Sequence, residues 1–175
     1  QLEYLIPTRG LIGFRSEFLT STSGTGLLYH AFDHYGSQVD APLGHRASGV
    51  LVSMAGGKTL AYALFNLQER GRLLVTPGTE IYEGMIVGQH TRSNDLVVNP
   101  TKGKQLTNIR AAGTDENVIL TPPIQMTLEY ALEFINDDEL IEVTPKSIRI
   151  RKKLLKQHER KKAGRQTNSS SGAAA

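Results

Sequence analysis

The sequence predicts an α+β chain: a strand–helix–strand block, then a β-rich, barrel-like region with one or two short helices. Three observations predict it. Apolar residues recur at spacings of three and four within Gly10–Ser23 and again within Thr127–Asn136. Between residues 49 and 89, short apolar runs alternate with turn pairs, the pattern of a barrel or a strongly curved sheet. The length, 175 residues, suits one domain or two small ones, and a chain of that size buries roughly 70% of its unfolded surface.

In order, Gln1–Thr8 reads as a strand that ends around Pro7. Gly10–Ser23 reads as a helix with Leu11, Phe14 and Phe18 on one face, and Gly24 stands where a left-handed stop belongs. Gly26–Tyr35 is a second strand, and Ser37–Gly44, with Pro42, reads as a linker. Gly49–Met54 and Thr59–Leu64, joined by Ala55-Gly-Gly-Lys58, form a hairpin pattern. A short helix over Phe65–Arg70 would be stopped by Gly71. Leu73–Val75, Thr79–Tyr82 and Met85–Gln89 are short strands separated by the turn pairs Pro77-Gly78 and Glu83-Gly84. Thr91–Thr107 is long, polar and partly basic, with Leu96–Val98 as a possible strand inside it. Val118–Thr121 reads as a strand before Pro122-Pro123. Thr127 then caps a helix with Leu128, Ala131, Leu132 and Ile135 as its apolar stripe. Leu140–Val143 and Ser147–Arg151 pair around Thr144-Pro-Lys146, with Ile148 and Ile150 inward and Arg149 and Arg151 outward.

Composition excludes several classes. There is no cysteine, hence no disulfide, no thiolate nucleophile and no Cys-ligated metal. No apolar run reaches the ~18–20 residues of a membrane helix. The first residues lack the basic start and cleavage site of a signal peptide, and with no Met at position 1 the chain reads as a piece of something longer. The net charge of +3 conceals a split. Residues 146–165 hold ten basic side chains against the single acid Glu159, a net of +9, and the remainder carries −6. A basic end on an acidic body calls for an anionic partner, most commonly nucleic-acid phosphate, although such a run also serves as a solvated tail. Residues 155–175 are expected to be a disordered basic tail, and the final Gly-Ala-Ala-Ala reads as a vector scar.

The tempting catalytic motifs fail on spacing. Ala55-Gly-Gly-Lys-Thr59 resembles the end of a phosphate-binding P-loop, but Val52 stands where its first glycine belongs. His30 and His34 share a face, but no third ligand has suitable spacing. Asp137-Asp138-Glu139 could hold a hard cation, and is more commonly a solvated run beyond a helix end. No Gly-x-Ser-x-Gly elbow occurs. Binding features are stronger. Arg9, Arg15, Arg92, Lys102, Lys104 and Arg110 sit near glycines or in loops, with Asn94, Asn99 and Asn108 among them. Such groups suit phosphates and unstacked bases, and also suit an ordinary solvated loop.

Longer stretches carry a family resemblance. They are Tyr4-Leu-Ile-Pro-Thr-Arg-Gly-Leu-Ile-Gly-Phe-Arg-Ser-Glu-Phe18, Thr22-Ser-Gly-Thr-Gly-Leu-Leu-Tyr29, Tyr82-Glu-Gly-Met-Ile-Val-Gly88 and Arg92-Ser-Asn-Asp-Leu96. Leu106-Thr-Asn-Ile-Arg-Ala-Ala-Gly-Thr-Asp-Glu116, Pro123-Ile-Gln-Met-Thr-Leu-Glu129 and Val143-Thr-Pro-Lys-Ser-Ile-Arg-Ile-Arg-Lys152 continue them. Together they resemble the BipA/TypA family of ribosome-binding translational GTPases over about the first 155 residues. The resemblance implies a C-terminal fragment. Residues 1–36 would be the second half of a ferredoxin-like domain like that of EF-G, residues 37–154 the family's own C-terminal domain, and residues 155–175 the tail. It also implies that the nucleotide-binding domain, with GTP and Mg, lies upstream, so that this chain is no enzyme and holds no cofactor. Without the first strand of its ferredoxin-like domain, the opening segment is expected to be poorly ordered, or to borrow a strand from another chain or a dimer partner.

By the same resemblance the partners are large-subunit ribosomal RNA and A-site tRNA, with no membrane, in the cytoplasm or, for a plant-type homologue, the plastid stroma. Ribosome assembly and stress adaptation would be the wider role. The RNA-binding candidates are Arg92, Ser93, Asn94, Asn99, Lys102, Lys104, Asn108 and Arg110 in the loop region, and Arg151, Lys152 and Lys153 at the start of the basic run. The rival reading is a protein-interaction module that docks through the Thr127–Asn136 helix while the basic tail stays free.

Overall fold

The computed structural model describes residues 1–39, 46–104 and 119–171. The best-packed part begins with β1 (Val50–Ser53), whose four residues are all buried. A strand covered on both faces reads as a continuous apolar run rather than an alternating one. Its neighbours in the sheet are β5 (Ile86–His90), antiparallel, and β6 (Leu96–Val98), parallel. With β3 (Gly71–Leu73) on the far side of β5, the sheet order is β3-β5-β1-β6. Two further pairs stand outside this sheet: β2 (Gly57–Lys58) with β4 (Glu80–Ile81), and the hairpin of β7 (Glu139–Val143) with β8 (Ile148–Lys152).

Alternation along the strands sorts the core into two layers. Leu51 and Val87 face α2 (Ala61–Gln68), where they meet Leu64, Leu73, Ile81, Met85 and Val98. Val50, Val52 and Ile86 face the other way, onto α3 (Leu128–Phe134) and the β7–β8 hairpin, through Ala131, Phe134 and Ile150. The sheet is covered by a helix on one face and by a helix and hairpin on the other. The barrel-like expectation is corrected: the described strands form an open four-stranded sheet and two ribbons, because added layers rather than closure bury the sheet's faces.

The 49–64 hairpin does not form either. β1 pairs with β5 and β6, while residues Ala61–Gln68 are helical. Ala, Leu and Gln favour a helix intrinsically, and Leu64 and Leu67 at i, i+3 turn the same way toward the core. Gly71 opens β3 rather than closing a loop, because a Cβ there would lie 1.8 Å from the Gln89 carbonyl oxygen. The strands expected near residues 79–82 and 85–89 and at 96–98 appear within two residues of those positions. The residues 119–121 are not a strand, and 118 lies outside the described residues. Thr127 caps α3 through its hydroxyl oxygen, which accepts from Tyr130 N–H at 3.2 Å. The buried face of α3 is Ala131 and Phe134, while Leu128 and Leu132 are exposed.

Residues 1–39 differ. A 3₁₀ turn (Thr8–Leu11) and α1 (Phe14–Ser21) are the regular elements among them. Gly24 does stop the helix, with φ at +80° and its N–H donated to the Leu19 carbonyl at 2.7 Å. The two strands expected at 1–8 and 26–35 are not formed. A strand needs a neighbour to take its backbone hydrogen bonds, and among the described residues none lies alongside. The tail is corrected in the opposite sense: α4 spans Gln157–Ser171 where disorder is expected. Its start is held, since Glu83 accepts from Gln157 N–H at 3.1 Å and pairs with Lys156 at 3.0 Å. The helix N-terminus favours that carboxylate, and the Lys and Arg residues that follow are good helix formers. No described helix is long and apolar enough to cross a membrane.

Candidate nucleic-acid interface

Thr91–Asp95 connects β5 to β6 as a tight, exposed loop. Its backbone is held from several sides. Gly49 N–H donates to Arg92 O at 2.7 Å and Thr91 N–H to Arg70 O at 3.0 Å. The His90 ring nitrogen Nδ1 contacts Asn94 O at 2.5 Å. Gly49 is required here, because a Cβ would lie 2.2 Å from the Asn94 oxygen. Asp95 closes the loop by accepting from Val50 N–H at 3.0 Å. The outcome is a fixed backbone with Arg92, Ser93 and Asn94 exposed.

β6 carries the chain from this loop to a second one. Three residues at ~3.3 Å each separate them by roughly 10 Å. There Asn99 Oδ1 accepts from Thr101 N–H at 3.0 Å and Thr101 Oγ1–H at 2.7 Å. This side-chain turn presents Lys102, Gly103 and Lys104 outward. Leu60 N–H donates to Pro100 O at 3.0 Å and fastens the turn to the start of α2. Between them lies a cleft of about 350 Å³, lined by Tyr62, Ala63, Asn66, Leu67, Val98, Asn99 and Lys102. Tyr62 and Asn66 are not among the sequence-derived candidates. Their i, i+4 spacing signals a shared face only once residues 61–68 are known to be helical.

The basic run divides in two. Lys153 is exposed. Arg151 pairs with Glu142 at 2.6 Å and is a quarter exposed. Lys152 is buried. Its ammonium lies 2.6 Å from Asp95, 2.7 Å from Asp138 and 3.0 Å from Glu139. Burial alone would lower its pKa, but the hydrogen bonds it donates to Asp138 and Asp95 and the charge of Glu139 outweigh that and raise it. Glu139 is fully buried and also takes Arg46 in a two-point contact at 2.8 and 3.1 Å. Arg46 reaches Ser48 O at 2.7 Å and lies 4.2 Å from the centre of the Phe134 ring. The acids at 138 and 139, expected to be solvated or cation-binding, are therefore neutralised from within, and Lys152 is a post inside the fold. Its signal is parity: 152 continues the inward series of 148 and 150. Arg46 has no local signal, since its partner is 93 positions away.

The structure thus places Arg92, Ser93 and Asn94 on one loop and Asn99, Lys102 and Lys104 on the next, with Asp95 tying the first loop to the end of β8 beside Lys153. Asn108 and Arg110 lie outside the described residues. Arg9 and Arg15 belong to the separate first segment. His30 and His34 are exposed, and His34 contacts Asp33 at 2.5 Å. Among the described residues no group of three or more His, Asp or Glu is arranged to hold a metal. Tyr82 donates to Glu142, and burial followed by that bond pushes its pKa upward, so it stays a neutral donor.

Two family profiles and several curated proteins match the chain. The profile of the TypA/BipA C-terminal domain matches residues 48–157, and that of the elongation factor G C-terminus matches residues 1–43. A Haemophilus influenzae protein named "Large ribosomal subunit assembly factor BipA" is 59% identical over 98% of the chain and 28% of its own length. Proteins of the same name from Escherichia coli K12 and Buchnera aphidicola are 61% and 59% identical over 94% of the chain and 27% of theirs. The chain therefore spans a little over a quarter of the length of the curated relatives it matches. With the larger family profile covering most of the chain, from β1 to the start of α4, the protein belongs to the TypA/BipA family.

Proposed function

We propose that this chain is the part of a large-subunit assembly factor that docks on ribosomal RNA and on the acceptor end of A-site tRNA. The observation that carries the proposal is the Thr91–Asp95 loop. Its backbone is fixed by Gly49, Arg70, Val50 and His90 while Arg92, Ser93 and Asn94 face outward. Such a loop loses little conformational freedom on binding. Arg92, Lys102, Lys104, Arg151 and Lys153 would neutralise phosphates, and Ser93, Asn94 and Asn99 would hydrogen-bond the RNA. Asn108 and Arg110, outside the described residues, stay RNA-binding candidates in this reading, and Lys152 supports the surface from inside. The names of the relatives supply the ribosomal partner. GTP and Mg binding and GTP hydrolysis belong, on this view, to the part of those proteins that the chain does not span. Residues 1–36 are the second half of a ferredoxin-like domain, and the setting is cytoplasmic or, for a plant-type homologue, the plastid stroma. Assembly of the subunit and adaptation to stress follow as the wider role.

The test is binding to purified large ribosomal subunits across a salt series. Replacing Lys102 and Lys104 together by Ala is expected to flatten the log K against log salt slope by about two ions' worth. A version ending after Lys153 is expected to keep saturable binding. Binding that disappears with α4, or is absent from the intact chain, would give the surface to a protein partner instead.

A further inference from the structure

We propose that the cleft between α2 and the Asn99–Lys102 turn is a subsite for one unstacked nucleotide of single-stranded RNA. The proposal deepens the RNA-docking reading and takes the class of partner from it. The cleft's volume of about 350 Å³ lies within the range of small-ligand sites, roughly 300–1,000 Å³. Its floor is apolar, from Ala63, Leu67 and Val98. Its other lining residues are the aromatic Tyr62, the amides Asn66 and Asn99, and the cation Lys102.

Both amides have a defined orientation. Asn99 Oδ1 is occupied by Thr101, which leaves Nδ2 of this cleft-lining residue as a donor. Asn66 Nδ2 donates to Tyr62 O at 3.0 Å, which leaves Oδ1 as an acceptor. A donor and an acceptor among the lining residues suit the edge of a nucleobase, Tyr62 supplies an aromatic ring for stacking, and Lys102 supplies a cation for a phosphate. The walls are also preset. The Leu60-to-Pro100 hydrogen bond and the fully buried Pro100 hold the turn against the helix before any ligand arrives. Because Asn99 and Lys102 already belong to the proposed docking surface, a strand lying along that surface would bring a base to the cleft without leaving it.

The test uses the whole chain and the four ribonucleoside 5′-monophosphates, followed by NMR. At least one nucleotide is expected to shift the Tyr62, Asn66, Asn99 and Lys102 signals saturably at millimolar concentration. Tyr62→Ala should weaken that binding about 5- to 150-fold, the range of one lost base–aromatic stack, and Tyr62→Phe should retain most of it. Lys102→Ala, on an exposed turn, should weaken all four nucleotides alike. No saturable shift with any nucleotide, or an unchanged titration in Tyr62→Ala, would overturn the subsite. Subunit binding measured in parallel separates the two readings. A chain that binds subunits but no nucleotide loses only the cleft, and one that binds nucleotide but no subunit loses only the docking surface.

Discussion

Residues 1–39 and 46–157 carry apolar runs of similar strength and treat them oppositely. In the second region Val50, Leu51, Val52 and Val87 are all 0–1% exposed. In the first, Leu27, Tyr29, Phe32 and Tyr35 are between 72% and 94% exposed, and Leu2, Tyr4 and Leu5 are about as open. The difference is supply of partners. β1 has β5 on one side, β6 on the other, and a layer against each face. Among the described residues Gln1–Thr8 and Gly26–Tyr35 have no strand alongside. Strand propensity expresses itself only where a ladder and a second layer exist to receive it. The aromatic side chains of the first region stay exposed because no described strand or second layer covers them.

The comparison is broken most forcefully by taking away what joins the layers of residues 46–157. Lys152→Met removes the buried cation that pairs with the buried Glu139 carboxylate and with the exposed Asp95 and Asp138. Removing one partner of a buried ion pair costs about 3–5 kcal/mol, a large share of a domain stability of ~5–15 kcal/mol. Urea unfolding should show it, and a loss under about 1 kcal/mol would mean the network is no stronger than a surface pair. The raised pKa of Lys152 sets a sign as well. Its contribution is complete below the unfolded value near 10.4 and is lost as pH rises through the higher folded value. The wild-type domain should therefore weaken in alkaline solution beyond that point, and Lys152→Met should lack this part of the pH dependence.

That network also marks the limit of what could be read from the residues alone. The β7–β8 hairpin, β6 and the Thr127 cap follow from alternation and capping, which are local. The second half of α2 falls within the expected Phe65–Arg70 helix, but its first residues, Ala61–Leu64, are misread as a strand because Gly56-Gly57 imitates a hairpin turn, whereas Gly57 in fact pairs with Ile81, 24 positions on. The loop residues Arg92 to Asn94 are legible as a polar insertion. Their anchoring is not, since Gly49, Arg70 and Lys152 reach the loop from distant sequence. Lys152 itself is misread as a surface cation because charge density outweighed strand parity in that stretch. The cleft depends on α2 and on an amide turn, so it stays invisible until both are placed.

A middle-sized effect sharpens the contrast at its boundary. Limited proteolysis of the intact chain should cut within the first region and leave a resistant fragment beginning near residue 37, because exposed, unladdered backbone opens at little cost. Equal protection of both regions would show that the opening segment has found a partner strand, either in another copy or in its own dimer. Size-exclusion chromatography over a concentration range would then distinguish exchange, which shifts with concentration, from a rearranged monomer, which does not.

The smallest effect tests whether α4 belongs to the folded region or merely follows it. Glu83 follows β4, at the turn before β5, and holds the first turn of α4 by Lys156 and by the Gln157 N–H. The Lys156 hydrogen bond, then that backbone bond, lower its pKa below the ordinary carboxylate value. The folded value is depressed, so the attachment is complete above the unfolded value and fades as pH falls through the folded one. Glu83→Gln should reproduce the acid result at neutral pH, with helical circular dichroism reduced by a fraction of the signal of one 15-residue helix and the urea midpoint of the domain nearly unchanged. Arg160 limits the loss, since its guanidinium also grips the Leu154 and Leu155 carbonyls. A helix that persists in Glu83→Gln at all pH values would place its stability in its own Lys- and Arg-rich sequence. One that melts entirely would make the Glu83 contact the element that turns a basic tail into a fixed basic helix beside the β8 end of the docking surface.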